Sequence, residues 1–350
     1  MTCALHNGIT EAANIGFVAL ALAWTTDGLS LRRREPPAPG SLRQRSWLKA
    51  GAGVGLATLA SPYLGLAAGL AVATRTMMDL GRDLQGWLHA TMGAAVALLI
   101  SAPTLLAMGS QLGAGNAIIR HPSGMNEQLA LHNAVDIRTF FVPGGFRSAD
   151  LSAEGFEHSM YLGLVALTLA LGARRWRWIA MAGVIMVLSL GPYLYWGDGW
   201  VLVGESRLRL PFSTVQSLVP GLALTHPLRL AVPVLCIVAG LAAVGATTIP
   251  TRLSRVPRRA WLGGLGALLL LDGLWFSGAP WPIATASAQS PLVHQDLTRS
   301  DDEPLKWGIL DLPTDIGATM ASSRYLVWQA SHRRPIPYAP DARASTAALL

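Results

Sequence analysis

The feature that most constrains this chain is a succession of apolar runs, each too long for an ordinary loop. They lie at about residues 9–31, 46–61, 63–77, 86–108, 158–173, 178–196, 228–249 and 261–280. A helix needs about 20 mostly apolar residues to cross the roughly 30 Å hydrocarbon layer of a bilayer. Several runs reach that length. The fold class that follows is an all-α polytopic membrane protein, with the lipid bilayer as its first partner. Composition agrees, because 13% of the residues are charged and 51% are hydrophobic, whereas soluble domains carry about 25% charged residues.

The net charge is +7. Its arginines cluster in short loops between apolar runs, which the positive-inside rule explains more simply than nucleic-acid binding. No nucleic-acid partner is expected. Cys3 is terminal and Cys236 lies inside an apolar run, so neither a disulfide framework nor a cysteine metal set is formed. The N-terminal residues lack the basic segment, apolar core and cleavage site of a secretory signal.

Charge parity predicts the topology. "RRREPPAPGSLRQR" (32–45), "RRWR" (174–177) and "RLSRVPRR" (252–259) are strongly basic. If all three are cytoplasmic, an even number of crossings separates each pair. The 47–74 region is either one long helix or two short ones broken at Ser61-Pro62-Tyr63, because proline lacks an N–H and clashes with the preceding turn. One crossing there makes the count between the first two loops odd; two make it even. A hairpin is therefore favoured over a re-entrant turn hidden in 109–157. Each arm is only about 15 residues, short of a full span. The sum is about eight transmembrane or membrane-embedded helices in a domain at 1–280, with outer loops at 109–157 and 197–227. Residues 281–350 lose the membrane composition. "WGILDLPTDIG" (307–317) reads as a strand and turn, and "RYLVWQA" (324–330) as a strand or a helix. A small, incomplete extracytoplasmic α/β tail is expected.

Ionisable groups within membrane segments are costly and are functional candidates by default. Glu11 either lines an outer polar cavity or marks a frayed interfacial start. Asp272, in "LLLLDGLWF" (268–276), faces a cavity or lies toward the outer interface. The 109–157 loop contributes Asp136, Arg138 and Glu157, with His158 just beyond. Its segment "NAVDIRTFFVPGGF" (133–146) alternates polar and aromatic residues. That pattern suits a surface segment inserting Phe140, Phe141 and Phe146 into the membrane, or a solvated interfacial loop. Arginine binds phosphate bidentately, so Asp136 and Arg138 are candidates to meet a headgroup or sugar. "THPLR" (225–229) sets His226 and Arg229 at the mouth of the 228–249 run, as interface anchors or as contacts to an anionic ligand. No HxxxH or HExxH spacing occurs, and no metal site is expected. "GAGVG" (51–55) lies in an apolar helix and reads as close helix packing through small residues, not as a phosphate loop.

Six phrases in order carry a family resemblance: "NGITEAANIGFVALAL" (7–22), "ATLASPYLGLAAGLA" (57–71), "FFVPGG…EGFEHSMYLGLVALTLAL" (140–171), "VLSLGPYLYWG" (187–197), "LPFSTVQSLVPGLALTHPLRLAVP" (210–233) and "ILDLPTD" (309–315). Together they resemble the multi-pass bacterial membrane proteins of the GT-C glycosyltransferase superfamily. The resemblance implies an inner-membrane enzyme that takes a sugar from a polyprenyl-phosphate donor at the extracytoplasmic face. It also implies a catalytic acid in a first outer loop that has no counterpart here, so the chain looks like the middle and C-terminal part of such a protein. Glu11, Asp136 and Glu157 are the catalytic candidates that remain. Substrate binding falls to Arg229, His226, Arg138 and His158. Arg229 matches the second basic position of an Arg-x-Pro-x-Arg-like family phrase, and His226 takes the place of the first. An unperturbed histidine is mostly uncharged at neutral pH, which weakens a two-cation phosphate clamp. Two other functions fit the same composition. One is a transporter or flippase for a lipid-linked substrate, with broken helices near its prolines. The other is a non-catalytic scaffold of envelope assembly.

Overall fold

The computed structural model describes residues 14–31, 41–113, 134–143, 146–147, 157–158, 160–197, 199–218, 226–248 and 257–276. Glu11, most of the 109–157 loop and the whole 281–350 tail lie outside the described residues. The described residues all belong to one compact unit of the chain.

Helices dominate. In chain order they are α1 (Ile15–Ser30), α2 (Leu42–Ala60), α3 (Pro62–Leu80), α4 (Leu84–Gly113), α5 (Leu164–Gly172), α6 (Trp176–Ser189), α7 (Pro211–Leu218), α8 (Val232–Thr248) and α9 (Arg258–Phe276). Three segments, Leu84–Ser110, Pro227–Thr248 and Arg259–Phe276, are long and apolar enough to cross a membrane. Leu98, Leu99 and Leu106 on α4 and Leu270, Leu271 and Trp275 on α9 point outward. Such a surface is costly in water but neutral against lipid tails, which are as apolar as leucine.

The 47–74 region is two helices. Ser61 is extended (φ −165°, ψ 131°) and ends α2, and Pro62 occupies the first position of α3. There the missing N–H is harmless and the fixed φ suits a helix start. Each helix has 19 residues, about 28 Å at 1.5 Å per residue. Both outrun the expected arms because the charged ends stay helical, with Arg43 paired to Asp83 at one terminus and Asp79 paired to Arg75 and Arg177 at the other.

Helix termini gather at two ends of the bundle. At one, Gly28 of α1 packs on Trp47 of α2, leaving a hypothetical Cβ 2.9 Å from the indole Nε1. Arg43 of α2 pairs with Asp83, between α3 and α4. Arg177 at the start of α6 donates to Asp79 near the end of α3 (2.6 Å). Trp261 of α9 donates to the Ala246 carbonyl of α8 (3.0 Å), and Gly245 lies directly on the Leu169 carbonyl of α5. At the other end are the α2–α3 break, the 134–143 segment, the 190–210 region and Pro227–Ala231, a 3-10 turn leading into α8.

Glycine sets the helix spacing where backbones touch. In "GAGVG", Gly51 presses against the Gly93 carbonyl of α4, and a Cβ on Gly55 would lie 2.8 Å from Ile100 Cβ on the same helix. Gly53 faces the other way, where a Cβ would lie 3.0 Å from the Ala21 nitrogen of α1. Positions i and i+4 thus seat one neighbour and i+2 another, which accounts for this motif as helix packing.

Three expectations need correction. The run at 178–196 is helical only to Ser189, because Gly191 turns the chain with φ +104° and Pro192 follows. Outside the helices the chain forms short antiparallel pairs, so the fold is mostly helical and not wholly so. The Phe146–Arg147 strand (β1) pairs with Glu157–His158 (β2); β3 (Tyr195–Trp196) pairs with β4 (Gly199–Trp200), and β5 (Leu202–Val203) with β6 (Ser206–Arg207). The run at 158–173 becomes helical only at Leu164, after Gly163 at φ +87°. Phe140 does not insert into a membrane; it is fully buried in the main core with Leu162, Leu190 and Ala231, while Phe141 remains exposed.

Candidate functional site

The Asp136–Arg138 pair is built by a single turn. Asp136 precedes a 3-10 turn at Ile137–Phe140 and accepts from the Arg138 N–H through Oδ1 (2.8 Å). Its Oδ2 accepts from Arg138 Nε (3.0 Å), from Arg138 Nη2 (2.7 Å) and from the Gly197 N–H (2.8 Å). The residue is 1% exposed. Burial by itself raises the carboxyl pKa, but these hydrogen bonds and the Arg138 charge outweigh it and hold the group below its ordinary range. An ionised carboxylate saturated in this way is a poor general base. Its geometry is that of a staple, tying the 134–143 segment to the β3–β4 hairpin, and Asp136 and Tyr195 also form a backbone bridge. Two guanidinium donors of Arg138 are committed to the same carboxylate.

Arg229 and His226 meet on Tyr63. The His226 N–H donates to Tyr63 Oη (3.2 Å), and the two rings meet edge to face at 6.3 Å. The Arg229 guanidinium lies 5.2 Å from the centre of the Tyr63 ring. Tyr63 stands in the first turn of α3 because the break at Ser61 starts that helix there. All three side chains are half-buried. Gly191 links this cluster to the Asp136 segment: a Cβ there would be 3.3 Å from Ala134 Cα and 3.5 Å from Pro227 Cγ. Arg229, His226, Asp136 and Arg138 therefore occupy the same end of the bundle. Glu157 and His158 are described only as strand β2.

Asp272 has a structural explanation. Its Oδ1 accepts from Tyr161 Oη (2.8 Å) and its Oδ2 from the Val165 N–H (3.0 Å). Tyr161 Oη in turn accepts from the Leu164 N–H (3.0 Å). A buried aspartate on α9 thus caps the first turn of α5, satisfying N–H groups that no helix can bond internally.

Sequence reasoning missed a second cationic site. At the opposite end of α6, Asp79 Oδ2 pairs with Arg75 Nη2 and Oδ1 with Arg177 Nη1, both at 2.6 Å. Arg75 stacks on Trp178 at 4.5 Å. This cluster borders a cavity of about 1470 Å³ between α1, α5, α6 and α8. The signal was present: Arg75 and Asp79 are a helical i,i+4 pair placed at the end of an apolar run. Among the described residues, no three His, Cys, Asp or Glu residues cluster as a metal site. Comparison with protein-family models, curated proteins and solved structures finds no match.

Proposed function

We propose that this chain is a multi-pass membrane protein of GT-C glycosyltransferase type that engages a polyprenyl-phosphate-linked sugar. In this reading α1–α6, α8 and α9 are eight transmembrane or membrane-embedded helices of a bacterial inner-membrane protein. The basic loops face the cytoplasm, and the Arg229 end and the 281–350 tail face outward. The observation that carries the reading is the packing of Arg229 and His226 on Tyr63, at the end that also holds Asp136 and Arg138. The six ordered phrases supply the family. The part assigned to Arg229 is donor binding, where a fixed guanidinium meets phosphate charge. Asp136 and Asp272 are occupied as staple and cap, so a catalytic carboxylate is sought at Glu11, Glu157 or on another chain.

The test is binding of polyprenyl phosphate to protein in nanodiscs. Arg229→Ala is expected to weaken it about tenfold or more, the worth of a hydrogen bond to a charged group. His226→Arg is expected to strengthen it by restoring a second cation. Equal affinity in all three proteins overturns the assignment. A second reading, movement of a lipid-linked substrate across the bilayer, is favoured by the cavity wall on α1. That wall runs from Ile15 to Ser30, the length of the helix.

A further inference from the structure

The cavity between α1 and α8 has an apolar wall and a cationic end. On α1 the residues that open to it include Ala19, Ala23 and Thr26, and on α8 Ala239 and Gly240. Small side chains recur at helical spacing on α1, and the Ala239-Gly240 step adds a small-residue stretch on α8, so a trough is left between the two helices. Nothing lies within 4 Å of a Cβ built on Gly240, so this part of the wall faces open space. At the α5–α6 corner the lining changes to Arg75, Arg174, Arg175 and Arg177, with Asp79 as the only acid among the described lining residues. Arg174 takes a left-handed backbone (φ +55°) to make this corner, a conformation that costs a non-glycine residue about 1 kcal/mol or more. Arg75 lies behind this corner. Its side chain is 11% exposed, Nη2 pairs with Asp79, and its buried Nε and Nη1 atoms have no hydrogen-bond partner. These two donors are closed off from the cavity, with the guanidinium stacked on Trp178, so Arg75 adds charge behind the corner, while the exposed guanidinium groups of Arg174, Arg175 and Arg177 are those that suit phosphate oxygens.

We infer that this trough is a binding site for one acidic phospholipid of the leaflet facing this end. The acyl chains lie along Ala19, Ala23, Ala239 and Gly240, and the phosphate is held by the exposed arginines of the α5–α6 corner, with the charge of Arg75 behind them. The volume exceeds the roughly 300–1,000 Å³ of ordinary small-molecule pockets, which suits a two-tailed lipid. Charge complementarity selects the occupant: four arginines against one aspartate favour an anionic headgroup over a zwitterionic one. The site lies at the far end of the 14-residue α6 from Gly191, about 21 Å along the axis. It is therefore separate from the Arg229 cluster and does not depend on sugar transfer.

The experiment is native mass spectrometry of the full chain released from nanodiscs of mixed phosphatidylglycerol and phosphatidylcholine. Wild type is expected to retain a single phosphatidylglycerol. Arg174→Gln with Arg175→Gln, both exposed and fold-neutral, is expected to reduce retention about 30-fold, from the known strength of basic residues toward anionic lipid. Gly240→Leu is expected to abolish it by filling the trough, with the circular dichroism spectrum unchanged. Equal retention of the two lipids, or retention indifferent to both variants, overturns the inference. Displacement of the signal by free inorganic phosphate also overturns it, since the site then reads phosphate without lipid.

Discussion

Asp136→Asn isolates the staple that shapes the Arg229 end. The substitution keeps shape and removes charge. Of four hydrogen bonds, three converge on Oδ2 and one on Oδ1. If the amide nitrogen takes the Oδ2 place, three donors face a donor. If it takes the Oδ1 place, the Arg138 N–H loses its acceptor and the guanidinium loses its countercharge. The second arrangement is cheaper. One orphaned N–H costs about 1–3 kcal/mol. The partly solvated ion pair adds about 1 kcal/mol, so the variant should lose about 2–4 kcal/mol. Hydrogen exchange is expected to quicken in 134–143 and at the Gly197 amide, while α2 and α4 stay unchanged. The pH dependence follows from the depressed native pKa. Stability from this carboxylate is complete above its ordinary value of 3.8 and is lost as pH falls through the lower native value. Thermal melts in detergent should show stability rising with pH below that point in wild type, and the slope should flatten in the variant. A loss under about 0.5 kcal/mol with unchanged exchange would refute the staple.

Other consequences are equally direct. Gly51→Leu drives a side chain into the Gly93 carbonyl and should destabilise by about 3 kcal/mol or more, since backbone cannot give way as side chains do; Gly16→Leu, with nothing within 4 Å of its Cβ, is the matched control. Thermal unfolding in the same detergent compares them. Asp272→Ala removes the cap of α5 and should cost about 2–4 kcal/mol. Asp272→Asn should recover part of this, and exchange at the Leu164 and Val165 amides reports the loss locally.

The helices were legible because an unbroken apolar run with its charges at the ends leaves the backbone little choice but to bond to itself. Pro62 was legible for the same reason, as an interruption whose backbone consequence is fixed by chemistry. The corner after α6 was not. "LGPYLYW" (190–196) is as apolar as a helix, and only the pairing of Gly191 with Pro192 hints that the chain leaves it. The burial of Phe140 was also hidden, since an alternating aromatic pattern looks the same against lipid and against protein. Asp136 and Asp272 drew notice as charged residues, but a capping role depends on N–H groups distant in sequence, 107 residues away for Val165. In the sequence the arginines at 174–177 read as orientation signals. Their second property, bordering a trough with Arg75, arises only when α1, α3, α6 and α8 are packed.

The central claim is that the two cationic ends lie on opposite faces of a membrane. Tyr63 and Asp79 both belong to α3, 16 residues apart in sequence, or about 24 Å along its axis. Single cysteines at Arg174 and Ser206, in a background with Cys3 and Cys236 replaced by alanine, test this by labelling intact cells with a membrane-impermeant maleimide. Ser206→Cys is expected to label from outside, and Arg174→Cys only after the membrane is permeabilised. Labelling of both from outside, or of neither until permeabilisation, would contradict the two-ended arrangement, and a reversed pattern would contradict its orientation.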